Sequence, residues 1–419
     1  MQKGKIDYDD LMKNTQKQKI SILSVLFVGY VGFSIIFPVL PSMFLDPSLD
    51  YLPPEFSLSV RNILLGVMVA MYPLGQFFGC PIFGRLSDTY GRRPILLITI
   101  FCTAILYCIT ALGIELKCMP LAYLGRFLTG IFEGNITIAM AVMSDLSQEK
   151  IDKTKNFGWL LTISSTGWIV GPLLGGWLSD SSVVSWFGYS TPFWSSSLLL
   201  LCSFFLIYCS FKETLSLEKR RSYVHIRKIF STFSRLLKRQ NLRQVLIANH
   251  LFYLSCFIFF VYFGTLIFRW FHTPPRMIGN LEAYISLFIC FAPLTYSILA
   301  NKFSHPKTMA IAGVGLAISL ITLILFPYWS AIWITLSFPS YFIALGMSFS
   351  SLLVSDYASA TEQGEALGLN TACMVLAEAF VGLFGGFLIA IWLYLPYSIG
   401  IFLALTSAYL IISQKKLSQ

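Results

Sequence analysis

The 419-residue sequence predicts an all-α membrane protein with twelve transmembrane helices in two bundles of six. Three observations carry that prediction. The chain is 56% hydrophobic and only 12% charged, about half the roughly 25% charge of soluble domains. Its mean hydropathy is +0.71, and its apolar residues gather in runs of about 20, the length that crosses a bilayer as a helix. Twenty-five of the thirty Lys and Arg residues fall on one side of those runs, four (Arg61, Lys117, Arg269, Arg276) on the other, and Arg126 inside one. Positive charge concentrates in cytoplasmic loops, so both termini are expected in the cytoplasm.

Residues 1–19 form a polar tail without a cleavage site after a short apolar core, which reads as a cytoplasmic tail before an uncleaved span. Span one, 20–41, ends in GFSIIFPVLP, where Pro38 and Pro41 terminate or kink it. Span two covers 61–83. Next comes the polar knot GRLSDTYGRRP, residues 84–94. Gly84 and Gly91 permit tight backbone geometry, and Pro94 suits the first turn of span three, 94–114. Asp88 can form a charge-assisted network with Arg92 and Arg93 at the membrane surface. Span four, 119–143, contains LGRFLTGIFEGN. At about 100° per residue, Arg126, Gly130, Glu133 and Thr137 share a face. Charges inside a membrane are costly and usually face a cavity or a partner. Arg126 and Glu133 are therefore candidate functional groups, with a structural salt bridge to another helix as the alternative. Span five, 157–179, reads GWLLTISSTGWIVGPLLGG over residues 158–176. Gly167, Gly171 and Gly175 recur every fourth residue and pave a face for close helix approach. Pro172 removes a backbone hydrogen bond and bends the helix. Span six, 190–211, completes the first half.

Residues 212–243 join the halves and carry ten Lys and Arg. Ile226, Phe230, Phe233 and Leu237 recur at helical spacing, predicting an amphipathic helix on anionic membrane lipid. A nucleic-acid patch is the weaker reading, because the segment is short and tethered at the membrane. Spans seven to twelve follow at 244–268, 280–300, 307–327, 331–355, 366–390 and 393–413, with a tail at 414–419. The loop before span eleven breaks the positive rule with Asp356, Glu362 and Glu365. Glu378 stands near the middle of span eleven. A carboxyl whose exposure cycles between two faces can bind and release a proton, so Glu133 and Glu378, in opposite halves, are proton-carrier candidates; hydrogen-bonded packing residues are the alternative. His250 reads as a satisfied core histidine.

The nine cysteines form no C-x-x-C pair, and the four histidines no H-E-x-x-H. No P-loop and no G-x-S-x-G is present. Metal binding, direct use of ATP and enzymatic catalysis are therefore not expected.

The knot GRLSDTYGRRP is similar to the loop signature between helices two and three of the major facilitator superfamily. The resemblance implies that Gly84, Asp88, Gly91, Arg92 and Arg93 form a conformational latch favouring the outward-facing state. In that family the latch engages the cytoplasmic start of helix eleven, where this chain has Glu362 and Glu365, so these acids are expected to clasp it when the inner gate is shut. The span-five pattern of Gly158, Gly167, Gly171, Pro172, Gly175 and Gly176 resembles the antiporter signature of drug–proton exchangers. Arg126-x3-Gly130 resembles the membrane-embedded arginine motif tied to proton coupling, with Thr129 where the family often has Gln. Span one also ends like the drug-exporter branch, but where tetracycline exporters carry an acid nine residues before Pro38, this chain has Gly29. The likeness is strong over 20–215 and diffuse beyond. It implies a secondary transporter, monomeric and without a cofactor, which exports an amphipathic or drug-like small molecule against a proton gradient from a bacterial inner (plasma) membrane. Phe33, Phe37, Tyr253, Phe257, Phe260 and Tyr341 would suit an apolar or aromatic substrate. Proton-coupled uptake of a nutrient or siderophore-like chelate is the alternative, and a non-transporting receptor the more distant one.

Overall fold

The computed structural model describes residues 8–146, 150–220, 234–359 and 362–413. The described secondary structure is helical. The first half holds α1 (Tyr8–Ser34), α2 (Val39–Leu45), α3 (Leu58–Tyr90), α4 (Arg92–Glu115), α5 (Met119–Phe132), α6 (Gly134–Asp145), α7 (Lys150–Leu178) and α8 (Thr191–Ser210). The second holds α9 (Gln240–Phe271), α10 (Pro275–Phe291), α11 (Tyr296–Lys302), α12 (His305–Leu325), α13 (Trp329–Thr335), α14 (Ser337–Tyr357), α15 (Gln363–Ile391) and α16 (Leu395–Ser413). Joined across short breaks, these give eleven helical stretches long and apolar enough to cross a membrane. The 29-residue α7 occupies the place of the fifth span. The chain is thus a multi-pass integral membrane protein. Of the predicted linker helix, Ile226, Phe230 and Phe233 lie outside the described residues, as do the first seven residues and 414–419.

Several spans are interrupted. Span one breaks between α1 and α2, with Pro38 at the start of the second piece. Span eight passes through a 3-10 turn at Ala292–Thr295 that contains Pro293. Proline accounts for both, since it cannot donate to the helical ladder. Span four was expected to be continuous over 119–143, yet it breaks at Glu133, whose φ and ψ are −69° and 7°. Gly134 follows and lies against Phe83 of α3, leaving no room for a side chain. Across the break, Thr137 and Glu133 both lie near Cys80 of α3.

Both linker-side helix ends and both chain-terminal helix ends lie together. The Ser21 and Ser210 hydroxyls meet at 2.6 Å, and Ser407 near the end of α16 donates to the Ala248 carbonyl near the start of α9 at 2.7 Å. This is the basic end of the molecule.

Two seams join the halves, and both lie away from the basic end. On α3 and α15, a Cβ placed on Gly66 would come 2.5 Å from the Gly382 carbonyl, and one on Gly386 would come 2.5 Å from the Asn62 carbonyl. Ser59 Oγ donates to the Ala390 carbonyl at 3.3 Å. On α7 and α10, Gly279 abuts the Pro172 carbonyl, Trp177 Nε1 donates to Asn280 Oδ1 at 3.1 Å, and Ser286 Oγ donates to the Trp168 carbonyl at 3.0 Å. In lipid, such backbone-close packing and interhelical hydrogen bonds carry helix association, because lipid tails are as apolar as the side chains they would replace. At the basic end, Gly158, Gly364 and Gly368 meet nothing within 4 Å. Among the described residues, the close contacts between the halves lie away from the basic end, and no ion pair joins the halves there.

Candidate functional site

The polar knot folds as a capped helix junction. Gly91 has φ +109° and ψ 156°, a region that L side chains rarely adopt, and a Cβ there would lie 2.5 Å from Glu213 Oε2. That space belongs to the Glu213 carboxylate, which accepts from the backbone N–H of Arg92 at 2.9 Å and of Arg93 at 3.1 Å. It thereby satisfies orphan donors at the α4 N-terminus, where the helix dipole also favours an anion. The Arg92 guanidinium is held by Asp88 at 2.6 Å, by Asp145 at 3.1 Å and by Ser87 Oγ at 2.7 Å. Arg93 donates to the Tyr208 carbonyl at 2.9 Å and lies 5.8 Å from that ring's centre. The partners of both guanidinium groups lie in the first half, and Glu213 stands at the start of the linker.

The expected clasp between Arg92 and the acids before span eleven is absent from this conformation. Glu362 pairs with Arg239 at 2.7 Å and lies 3.9 Å from Arg235, and Glu365 pairs with Arg235 at 3.1 Å. Both arginines come from the end of the linker. Asp356 is taken by His305 at 2.7 Å. The pairing at the basic end is the physical reason: Arg92 is satisfied within its own half, and Glu362 and Glu365 are held by the linker. The Ser359 hydroxyl, ahead of Arg239 and Arg235, holds the Glu362 carboxyl below the usual range, against a smaller desolvation in the opposite direction.

At mid-depth the first half buries a set of polar groups with too few partners. Arg126 is 1% exposed, and its guanidinium carbon lies 4.7 Å from the centre of the Tyr72 ring. That contact contributes about 2 kcal/mol when desolvated. Among the described residues, its Nε and Nη1 have no hydrogen-bond partner of good geometry, nor do Glu133 Oε2, both side-chain polar atoms of Asn135, or the hydroxyls of Tyr72 and Tyr107. Tyr72 lies within reach of Glu133 and Tyr107 within reach of Arg126, so the set is a buried polar cluster that satisfies itself only in part. Glu133 Oε1 lies 3.2 Å from where a Cβ on Gly29 would sit. Gly29, where the resembling exporters carry an acid, is thus faced by a carboxylate from the break between α5 and α6. Glu378 on α15 is 5% exposed and within electrostatic reach of Arg126 across the halves.

The corresponding polar cluster of the second half is linked by side-chain hydrogen bonds, with Asn249 Oδ1 left over. Asn249 Nδ2 donates to Asn370 Oδ1 at 2.9 Å, Asn370 Nδ2 donates to Tyr253 Oη at 2.8 Å, and Tyr253 Oη meets Ser350 Oγ at 2.6 Å. His250 Nδ1 bonds the Cys373 carbonyl at 2.9 Å, a packing role.

The α7 pattern divides its glycines between three surroundings. Gly167 and Gly171 lie against Tyr30 and Ser34 of α1, and Gly175 against Ile35 just beyond its end. Gly176 and the Pro172 carbonyl lie against α10, and Gly158 faces open space at the basic end. Beside Pro172, a small cavity of about 20 Å³, room for about one water, lies between the halves. Phe37 and Trp168 line it from the first half, and Phe260, Phe263, Glu282 and Ser286 from the second. Phe33 packs edge-on against both Phe37 and Trp168. Of the aromatics expected here, Phe37 and Phe260 line this cavity, whereas Tyr253 belongs to the paired cluster and Tyr341 bonds Thr295.

Three functional candidates escape the sequence reading: Glu213, Asp145 and Glu282. The first two sit in polar segments where an acid draws no notice. Glu282 falls at the edge of the span expected to begin at 280, but α10 begins at Pro275, so the acid lies two turns inside. The Pro274-Pro275 pair was the available signal, since proline favours the first helical position.

Comparison with known proteins matches this architecture. The class H tetracycline resistance protein of Pasteurella multocida is 35% identical over 208 residues, covering 50% of this chain and 47% of that protein. This chain thus spans about half the length of that curated relative. Multidrug resistance protein 2 of Bacillus subtilis is 24% identical over 399 residues, covering 92% of this chain and 93% of that protein. The crystal structure of the human organic anion transporter MFSD10 (TETRAN) superposes with a TM-score of 0.70 at 18% identity, over 95% of this chain and 99% of that one, which speaks to fold alone. The Major Facilitator Superfamily model matches residues 22–273 and 245–417, nearly the whole length. The chain belongs to the Major Facilitator Superfamily.

Proposed function

We propose that this protein is a proton-coupled secondary transporter that exports an amphipathic or drug-like small molecule by alternating access. One observation carries the reading: two helical halves make their close backbone contacts at one end only, and a partly paired polar cluster is buried at mid-depth in the first half. That is the arrangement of a molecule caught in one of two access states. The basic end faces the cytoplasm in this reading, by the charge excess of its loops. The membrane is a bacterial inner (plasma) membrane, in keeping with the bacterial relatives. The energy source is the proton gradient, without a cofactor, and the protein acts as a monomer and not as an enzyme.

Glu133 and Glu378 carry the proton, and Arg126 sets the charge balance between them. Gly84, Asp88, Gly91, Arg92 and Arg93 form the latch, which meets Glu362 and Glu365 when the basic end closes. The α7 glycines and Pro172 let that helix move against α1 and α10. The export direction rests on the likeness of α7 to antiporter helices and on the resistance proteins among the relatives.

Reconstituted flux is the test. Proteoliposomes with an imposed pH gradient are assayed against a panel of dyes, antibiotics, organic acids and ferric chelates, beside Glu133→Gln and Glu378→Gln. Gradient-driven flux is expected in the wild type and lost in both variants, with counterflow retained. Full gradient-driven flux in both variants would remove the proton assignments. Uptake into acid-loaded inverted vesicles marks export, and accumulation only in intact cells marks import.

A further inference from the structure

Arg126 sits inside α5, and Glu133 stands just past its end. Seven positions separate them, a rise of about 10 Å along a helix. Among the described residues, Arg126 Nε, Arg126 Nη1 and Glu133 Oε2 each lack a partner of good geometry. Tyr72 of α3 occupies the space between the two charges. The helices touch at its backbone, where a Cβ on Gly130 would strike the Tyr72 carbonyl. Gly130 lies one turn after Arg126 and one turn before Glu133, so the phenol rises from the contact between them. Its ring faces the Arg126 guanidinium at 4.7 Å, and its hydroxyl lies within reach of Glu133. Tyr72 is fully buried, and Phe33 of α1 backs the ring at 5.1 Å. A buried phenol normally finds a partner for its O–H, and the described residues give this one none of good geometry. One side chain thus offers what the two charges lack: a ring face for the cation and a donor for the carboxylate.

We infer that Tyr72 is a positioning residue for the proton step: its ring holds the Arg126 guanidinium, and its hydroxyl donates to the Glu133 carboxylate once that group has released its proton. The phenol keeps its own proton throughout, so Tyr72 orients the acid and carries nothing itself. Protonated Glu133 needs no such donor, and the hydroxyl is then free to turn away. The two states of the acid therefore differ by one hydrogen bond, while the ring keeps its place over Arg126. The buried tyrosine of the second-half cluster cannot act in this way, because the Tyr253 hydroxyl is already engaged by Asn370 and Ser350. The inference deepens the proposed transport reading and rests on it for calling Glu133 a proton carrier; the bridge between Arg126 and Glu133 stands apart from it.

Infrared difference spectroscopy of the full chain in lipid nanodiscs, between acid and alkaline buffer, tests the bridge. The Glu133 carboxylate band is the component lost in Glu133→Gln. Tyr72→Phe keeps the ring over Arg126 and removes only the hydroxyl, and it is expected to shift that band. A melting temperature near that of the wild type shows that the variant is folded. In proteoliposomes the same variant is expected to lose about tenfold or more of its gradient-driven flux, the worth of a hydrogen bond to a charged group, and to keep counterflow within about twofold. An unshifted Glu133 band, gradient-driven flux within about twofold of wild type, or an equal fall in counterflow each overturns the inference. Gradient-driven flux by the wild type beside an unshifted band removes the bridge and leaves the transport reading standing. A shifted band in a protein that moves no compound does the reverse.

Discussion

The two ends of the molecule are built from the same residue type to opposite effect. At the far end, Gly66, Gly382, Gly386 and Gly279 bring backbones from the two halves into direct contact. At the basic end, Gly158, Gly364 and Gly368 touch nothing. Glycine at the far end removes the side chain that would hold helices apart. At the basic end its neighbours are absent in this state, and the charged groups do the holding instead: Asp88 and Asp145 on Arg92 within one half, Arg235 and Arg239 on Glu362 and Glu365 within the other. A seam of backbone contacts is steric and insensitive to pH. The Arg92 pairs are largely buried, whereas the pairs of Arg235 and Arg239 reach solvent and are weak, salt-sensitive and exchangeable. The difference teaches which end can be switched by charge and which only by packing.

The strongest way to break this contrast is to add a methyl group at each end. Gly66→Ala places a Cβ 2.5 Å from the Gly382 carbonyl, and backbone on a packed helix cannot yield locally. Overpacking of this kind costs roughly 1–3 kcal/mol, enough to shift the balance between states by about ten- to hundredfold toward an opened far end. Counterflow should fall by about tenfold or more. Gly364→Ala and Gly368→Ala should leave counterflow within about twofold and raise the melting temperature slightly, since Ala favours an exposed helix by up to about 1 kcal/mol.

The next largest effect belongs to the knot. Gly91→Ala meets both a disfavoured backbone region and the Glu213 carboxylate, and should cost about 1–3 kcal/mol. A lowered detergent melting temperature reads this. Glu213→Gln should share part of that loss, because the amide is a weaker acceptor for the Arg92 and Arg93 N–H groups. A Gly91→Ala protein as stable as the wild type would show that the α4 junction relaxes freely.

The smallest effect tests the switchable end. The Glu362 carboxyl is lowered below its ordinary value of 4.5, by Ser359 first and then by Arg239 and Arg235. Its hold on the linker is therefore complete above about pH 4.5 and is lost as the pH falls through the lowered value. Tryptic cleavage within the linker would be too coarse; the mobility of a spin label on Lys238, on the same turn, should rise on acidification and with added salt. In Glu362→Gln that mobility should be high and nearly independent of pH. Mobility that falls on acidification would contradict the pairing.

How much of this was legible beforehand follows from the range of the forces involved. Span positions, the first-half motifs and the glycine face of α7 depend on local composition and spacing, and the structure lays α1, with Ile35 just beyond its end, against Gly167, Gly171 and Gly175. The break at Glu133 was hidden, because no proline marks it; Gly134 beside it packs against Phe83. The partners of Arg92 and Glu362 were hidden for a different reason. They depend on which access state is populated, and a sequence encodes both. Glu282 went unnoticed because a five-residue error in a helix start moves an acid from the membrane surface to its interior.

The central claim is that closing one end opens the other. Double electron–electron resonance on two label pairs tests it most directly: Tyr90 with Gly364 at the basic end, and Leu58 with Ile391 at the far end. Across pH and candidate ligands, conditions that shorten the first distance should lengthen the second. Two distances that stay fixed during turnover, or that shorten and lengthen together, would contradict alternating access in this protein.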